Sequence, residues 1–92
     1  METNFNLHIG TKIKYRRLEL GLTQTKVGKV LNYSFQQIQK YEKGTNAVSS
    51  LGLLRLANFL KVPITYFYEG YSEYQIPKEP TVITVKEAVN EV

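Results

Sequence analysis

A short polar run places three amides and one amine within five residues: Gln36, Gln37, Gln39 and Lys40. In the DNA major groove, Asn and Gln side chains can pair with the edge of adenine, and Lys or Arg with that of guanine. Within the run, only Ile38 has a side chain that needs burial. The pattern therefore predicts a helix that presents base-reading side chains. A solvated helix face is the alternative, because Gln and Lys also favour helix formation.

Two short helices joined by a tight turn are predicted in this region, and the polar run belongs to the second of them. Thr23 is predicted to cap the first helix, and Ser34 to cap the second. Asn32 tolerates the left-handed backbone that a tight turn needs, and Tyr33 is expected to turn inward. We interpret residues 23–44 as a helix-turn-helix, with the polar run on its second helix.

Three further helices are predicted around this motif. The first covers residues 8–20, and another follows a cap at Ser49 or Ser50 and extends to Leu60. Pro63 suits the first turn of a short fifth helix, Ile64 to Tyr68. The predicted fold is all-α: a compact five-helix domain over residues 1–70 without a strand. Its expected core includes Ile9, Ile13, Leu20, Val27, Val30, Leu31, Ile38, Tyr41, Leu53, Leu56, Ala57, Leu60 and Phe67.

Charge is distributed unevenly along the chain. Residues 1–70 contain ten Lys and Arg against four Glu, a net charge of +6, whereas residues 71–92 contain two Lys against four Glu, a net charge of −2. Basic residues near a base-reading helix attract phosphates and add affinity that does not depend on sequence. The charge thus supports a nucleic-acid partner, with an ordinary solvated surface as the alternative.

The composition argues against several other classes of protein. The chain has no Cys, no Asp and a single His, His8, so it lacks material for a nucleophile–base pair or a metal cage. We expect no enzyme activity, no cofactor and no metal. No apolar run approaches the roughly 18 residues of a membrane span, and no secretory signal is visible. A soluble cytoplasmic protein without membrane contact is the expectation.

Residues 71–92 form a tail of different character. It contains Pro77 and Pro80 and then a β-branched run, residues 81–85, that predicts a strand. Thr84 with Glu87 equally resembles a capping box at the start of a short helix. Neither element is stable alone, so the tail is expected to pair with another subunit or fold back on the domain.

Aromatic residues are concentrated at the end of the domain and the start of the tail, in larger number than a domain of this size can bury. Exposed Tyr and Phe clusters often mark interfaces. One domain reads about half a site, and two-fold partners read half-sites about 34 Å apart. We therefore expect a homodimer, with an interface drawn from Phe59, Tyr66, Tyr68, Tyr71, Tyr74, Val85 and Val89.

One ordered set of residues extends across the domain, from about Ile9 to Gly70, and excludes the tail. Its members are Arg17, Gly21, Leu22, Thr23, Gln24, Val27, Gly28, Leu31, Ser34, Ile38, Tyr41, Glu42, Gly44, Leu53, Leu56, Ala57, Leu60 and Val62. This set resembles the phage-repressor type of helix-turn-helix, the Cro/Xre-like family.

This resemblance implies roles for individual residues. The third helix would lie in the major groove of double-stranded DNA, and Arg17 and Glu42 would form a buried structural ion pair. The base-reading positions match Phe35, Gln36, Gln37 and Lys40, with Gln39 as a weaker candidate. The phosphate-binding positions match Thr23, Gln24, Ser34, Lys43, Thr45 and Asn46.

Phe35 departs from the usual residue types at a base-reading position. It could contact a thymine methyl group or fold onto the protein surface. The function predicted first is a dimeric, sequence-specific transcriptional regulator on a palindromic operator. The alternative is an antitoxin-like or adaptor module whose acidic, valine-rich tail binds a second protein.

Overall fold

The computed structural model describes residues 2–76, with side chains from Asn4 onward. Four α-helices follow one another: α1 (Glu2–Glu19), α2 (Gln24–Leu31), α3 (Phe35–Glu42) and α4 (Ser50–Leu60). A single 3₁₀ helix, Ile64–Phe67, completes the order. Within residues 2–76 there is no strand, so the all-α class is confirmed for this part of the chain.

The predicted count of five helices needs a correction. The fifth segment is one 3₁₀ turn that follows Pro63, whose φ of −66° suits the start of a helix. Its four residues allow too few i→i−4 hydrogen bonds for an α-helix. Tail residues 71–76 are neither helix nor strand. The predicted strand or helix beyond them, and with it Val85 and Val89, lies outside the described residues.

Helix α1 begins at Glu2, six residues before the predicted start. The extension carries Phe5, whose ring lies 5.0 Å from that of Tyr71 and 6.1 Å from that of Tyr68, measured between centroids. These contacts join residues more than 60 positions apart, so local sequence patterns do not reveal them.

The core lies where the four helices and the 3₁₀ turn meet. Ile13, Ile38 and Phe67 are fully buried. Two residues expected in the core are instead partly exposed: Leu20 at 38% and Val30 at 41%. Leu20 follows the last residue of α1, so it does not continue the buried face of that helix. The confirmed core members are Ile9, Ile13, Val27, Leu31, Ile38, Tyr41, Leu53, Leu56, Ala57, Leu60 and Phe67.

Hydroxyl caps fix the starts of three helices. Thr23 Oγ1 accepts a hydrogen bond from the Lys26 amide at 3.1 Å, and Ser34 Oγ accepts one from the Gln37 amide at 3.3 Å. Ser49 serves α4 in the same way. Asn32 adopts φ +61° between α2 and α3, as the turn prediction required. Short helices with fixed starts and a fixed turn place α3 on the body of the domain.

Candidate nucleic-acid interface

Helix α3 has one buried face and one open face. Ile38, Tyr41 and Glu42 are buried against the domain. Gln36, Gln39 and Lys40 are exposed, Phe35 is 46% exposed, and Gln37 is half-buried. The side chains of Gln36, Gln39 and Lys40 therefore project away from the core, together with the ring of Phe35, whereas Gln37 is partly covered. Within residues 4–76 the predicted base-reading group forms a single surface, which we term the reading face: Phe35, Gln36, Gln37, Gln39 and Lys40.

Glu42, at the end of α3, lies at the centre of a buried polar network. Its carboxylate accepts hydrogen bonds from Arg17 Nε at 2.7 Å and from Arg17 Nη2 at 3.0 Å. Both residues are more than 90% buried. Arg17 also donates to the Leu22 carbonyl at 2.9 Å. Since the two charges neutralise each other, the network ties α3 to α1 without placing a free negative charge beside the reading face.

Gln24 donates the third hydrogen bond to this carboxylate. Its Nε2 donates to Glu42 Oε1 at 3.0 Å, a contact that the sequence interpretation missed. An amide nitrogen carries two protons, so one remains for an external acceptor. Gln24 can thus bind a phosphate while it links the start of α2 to the end of α3.

The residues predicted to bind phosphate retain free donor groups. The hydroxyls of Thr23 and Ser34 accept bonds from their own helices, which leaves each hydroxyl proton free to donate outward. Lys43, Thr45 and Asn46 are exposed directly after α3. Along the chain, Thr23, Gln24 and Ser34 precede α3, and Lys43, Thr45 and Asn46 follow it.

Lys14 is a further cation that the sequence interpretation missed. It lines a cleft of about 210 Å³ together with Gln24, Gln39 and Lys43, above the Arg17–Glu42 pair. Lys14 precedes Arg17 by three residues and therefore shares its face of α1. That spacing is the signal that could have placed it beside α3.

Two tyrosines meet at the turn before α3. The rings of Tyr33 and Tyr41 pack edge to face, with 6.1 Å between centroids. The inward orientation expected for Tyr33 is wrong, because its side chain stays 43% exposed at the turn. Burial raises the pKa of the Tyr41 phenol above its usual 10.0, and the neighbouring Tyr33 raises this pKa further. Tyr41 thus remains an uncharged core residue at neutral pH.

The aromatic residues predicted as a dimer interface divide between separate places. Tyr68, Tyr71 and Tyr74 form a cluster with Phe5 and line a groove of about 310 Å³. Tyr66 packs on the core, with Lys12 Nζ 4.7 Å from its ring centroid. Phe59 lines a different groove of about 270 Å³. All five are partly buried by their own chain, and the structure does not gather them into one patch.

A helix-turn-helix family model matches residues 13–67, which include the whole reading face and the Arg17–Glu42–Gln24 network. The chain belongs to the Cro/Xre-like helix-turn-helix family. The family resemblance inferred from the sequence is confirmed.

Curated relatives carry the same motif. The chain is 47% identical over 64 residues to an uncharacterized HTH-type transcriptional regulator of Sinorhizobium medicae, a match over 70% of this chain and 46% of the relative. It is 33% identical over 81 residues to the HTH-type transcriptional regulator DicA of Escherichia coli, which covers 88% of this chain and 56% of DicA. The chain thus spans about half the length of these relatives. No solved structure matches it significantly.

Other classes of site find little support in the described part of the chain. Among residues 2–76, no group of His, Cys, Asp and Glu is arranged to hold a metal ion. No helix described here has the length and apolar character required to cross a bilayer. The names of the relatives do not favour the antitoxin-like alternative.

Proposed function

We propose that this protein is a sequence-specific DNA-binding transcriptional regulator that inserts α3 into the major groove. The observation that carries the proposal is the open reading face, where amides and a lysine project outward. Side chains that can donate hydrogen bonds to phosphates precede and follow α3 in the chain. Gln36 and Gln37 provide the donor–acceptor pairs that suit adenine, and Lys40 suits guanine. The relatives named as transcriptional regulators support the same function.

Charge supports the proposal independently of the amides. Lys14, Lys40 and Lys43 lie on or beside the reading face, whereas the nearby carboxylate of Glu42 is neutralised by Arg17. The local field is therefore positive where a duplex would approach. Contacts to phosphates position a protein on DNA, and contacts to base edges specify the sequence.

A selection of bound duplexes from random oligonucleotides tests the proposal. The selection is run at two salt concentrations with wild-type protein and with two variants, Gln36→Ala and Gln75→Ala. Gln75 is an exposed glutamine outside the helices, so its variant serves as the control. We expect wild-type protein to enrich one palindromic sequence with a steep salt dependence. Gln36→Ala should weaken the binding free energy by about 1–3 kcal/mol and relax the sequence preference at one base pair. Gln75→Ala should bind as wild type does. Binding without sequence preference would contradict the proposal.

The homodimer is a second component of the proposal. A single α3 contacts about half of a typical site, so a palindrome requires two copies. The groove formed by Phe5, Tyr68, Tyr71 and Tyr74 supports it, because rings that are only partly covered by their own chain suit an interface. Sedimentation equilibrium should give twice the chain mass of 10.6 kDa. A monomer that persists at high micromolar concentration would remove this component.

A further inference from the structure

Three tyrosines after the 3₁₀ turn recur at every third residue. The Tyr71 amide donates to the Tyr68 carbonyl at 3.0 Å, and the Tyr74 amide donates to the Tyr71 carbonyl at 3.0 Å. Side chains three residues apart tend to lie on the same side of a chain that is held by such i→i+3 bonds. The rings of Tyr68 and Tyr74 accordingly stack, with 6.0 Å between centroids and 27° between planes.

Phe5, near the start of α1, adds a fourth ring to this group. It stacks on Tyr68 at a centroid distance of 6.1 Å and meets Tyr71 edge to face at 5.0 Å. The four rings line an open groove of about 310 Å³, which we term the aromatic groove, and Glu73 lines it with them. Each ring is only half-buried, so the groove is formed by ring-to-ring contacts and stays accessible.

The surroundings of the aromatic groove are acidic, unlike the rest of the domain. Residues 68–76 contain Glu69 and Glu73 and no Lys or Arg, whereas residues 1–70 carry a net charge of +6. Both glutamates are exposed. The face of an aromatic ring is also electrically negative. The groove therefore combines negative ring faces with a carboxylate, a combination that attracts a cation and repels an anion.

This chain already places a cation on an aromatic ring next to the groove residues in sequence. Lys12 Nζ lies 4.7 Å from the ring centroid of Tyr66. Among residues 4–76 this is the one ammonium in such a position, so no side chain of that range supplies a cation to the groove. Binding sites for small molecules measure about 300–1,000 Å³. The volume of the groove thus suits a small organic cation.

We propose that the aromatic groove binds a small quaternary ammonium cation, held by its four ring faces and by the Glu73 carboxylate. A quaternary ammonium has no N–H proton to satisfy, and its methyl groups carry the positive charge on an apolar surface that packs on aromatic rings. None of the groove residues belongs to the reading face. The site is therefore additional to the proposed DNA-binding function and does not depend on it.

A titration of the full chain with tetramethylammonium chloride, followed by backbone amide shifts, tests this inference. Parallel titrations use tert-butanol, a neutral molecule of similar size, and sodium chloride at equal ionic strength. Tetramethylammonium should give saturable shifts at Phe5 and residues 68–74, with an affinity about tenfold above that of tert-butanol because only the cation is attracted by the rings. Equal affinity for the two molecules would overturn the inference, and so would shifts no larger than those of sodium chloride.

A ring variant tests the contribution of the aromatic faces. Tyr71→Leu keeps an apolar side chain in the groove but removes one ring face, so it should lower the preference for tetramethylammonium over tert-butanol. Tyr15→Leu is the matched control, because Tyr15 is an exposed tyrosine of α1 that does not line the groove. It should keep the wild-type preference.

A charge variant covers the case in which Tyr71→Leu does not fold. Glu73→Gln keeps the shape of an exposed side chain, and it should weaken tetramethylammonium binding by a few-fold while leaving tert-butanol unaffected. Glu69→Gln is its control, since Glu69 does not line the groove, and it should have the smaller effect. If folded Glu73→Gln binds tetramethylammonium as wild type does, the inference is overturned, whatever the protein does with DNA.

Discussion

At the scale of single residues, the Glu42 carboxylate is the side chain that holds the elements beside the reading face together. It accepts bonds from Arg17 on α1 and from Gln24 on α2, so one side chain connects three helices. Three donors occupy most of the about four acceptor sites of a carboxylate. The family resemblance implied the ion pair with Arg17. The contact with Gln24 could be recognised only from the structure.

Replacing Glu42 with Ala should destabilise the domain by about 3–5 kcal/mol, because the Arg17 guanidinium would stay buried without its counter-charge. Urea unfolding followed by circular dichroism measures the loss. Glu69→Ala is the matched control, since Glu69 is exposed and should change stability little. An unfolding midpoint equal to that of wild type would refute the structural importance of the pair.

Tyr41 and Tyr66 should titrate later than an ordinary tyrosine, because burial raises the pKa of both phenols above 10.0. The folded state then holds these protons more tightly than the unfolded state. This stabilisation is complete below about pH 10 and declines as the pH rises through the raised pKa. An ultraviolet absorbance titration should show a late phase that shrinks in Tyr41→Phe. A single phase near pH 10, unchanged by that substitution, would contradict the assignment.

At the scale of elements, the caps explain why sequence patterns located α2, α3 and α4. Thr23, Ser34 and Ser49 each accept a hydrogen bond from the amide three residues ahead, so the information is local. The start of α1 was not predictable in this way, because it depends on contacts of Phe5 with Tyr68 and Tyr71. Which side chains of α3 face outward followed from helical spacing. Lys14 could be placed beside α3 only by combining its spacing from Arg17 with the packing of α1 on α3.

Ser34→Ala and Ser49→Ala form a matched pair at this scale. Each removes one cap and should cost about 1 kcal/mol of stability. Only Ser34 lies beside the reading face, so only Ser34→Ala should also weaken DNA binding. Thermal unfolding and fluorescence anisotropy with a labelled duplex measure the two effects. Equal loss of affinity in both variants would show that Ser34 acts through stability alone.

At the scale of the whole molecule, the basic residues and the amides have separable roles. Residues 1–70 carry a net charge of +6, and the cations beside α3 include Lys14 and Lys43. Phosphate contacts should add affinity for every sequence, and the amides should add preference for one. The aromatic groove of Phe5, Tyr68, Tyr71 and Tyr74 leaves a second surface for assembly.

Lys43→Ala should lower the affinity for the selected duplex and for a random duplex by the same factor. It should also reduce the slope of log affinity against log salt by about 1, as expected for one lost phosphate contact. Gln36→Ala should change the ratio of the two affinities and leave the slope unchanged. Titrations at several salt concentrations measure both quantities. A selective loss in Lys43→Ala would mean that Lys43 reads bases.

The most direct test of the account is a map of backbone amide shifts in the nuclear magnetic resonance spectrum when a selected duplex is added. The largest shifts should fall on residues 34–46 and on the start of α2 around Thr23 and Gln24. Residues of the aromatic groove, such as Tyr71, should shift little at constant oligomeric state. Shifts confined to that groove, with α3 unaffected, would contradict the claim that the open face of α3 binds DNA.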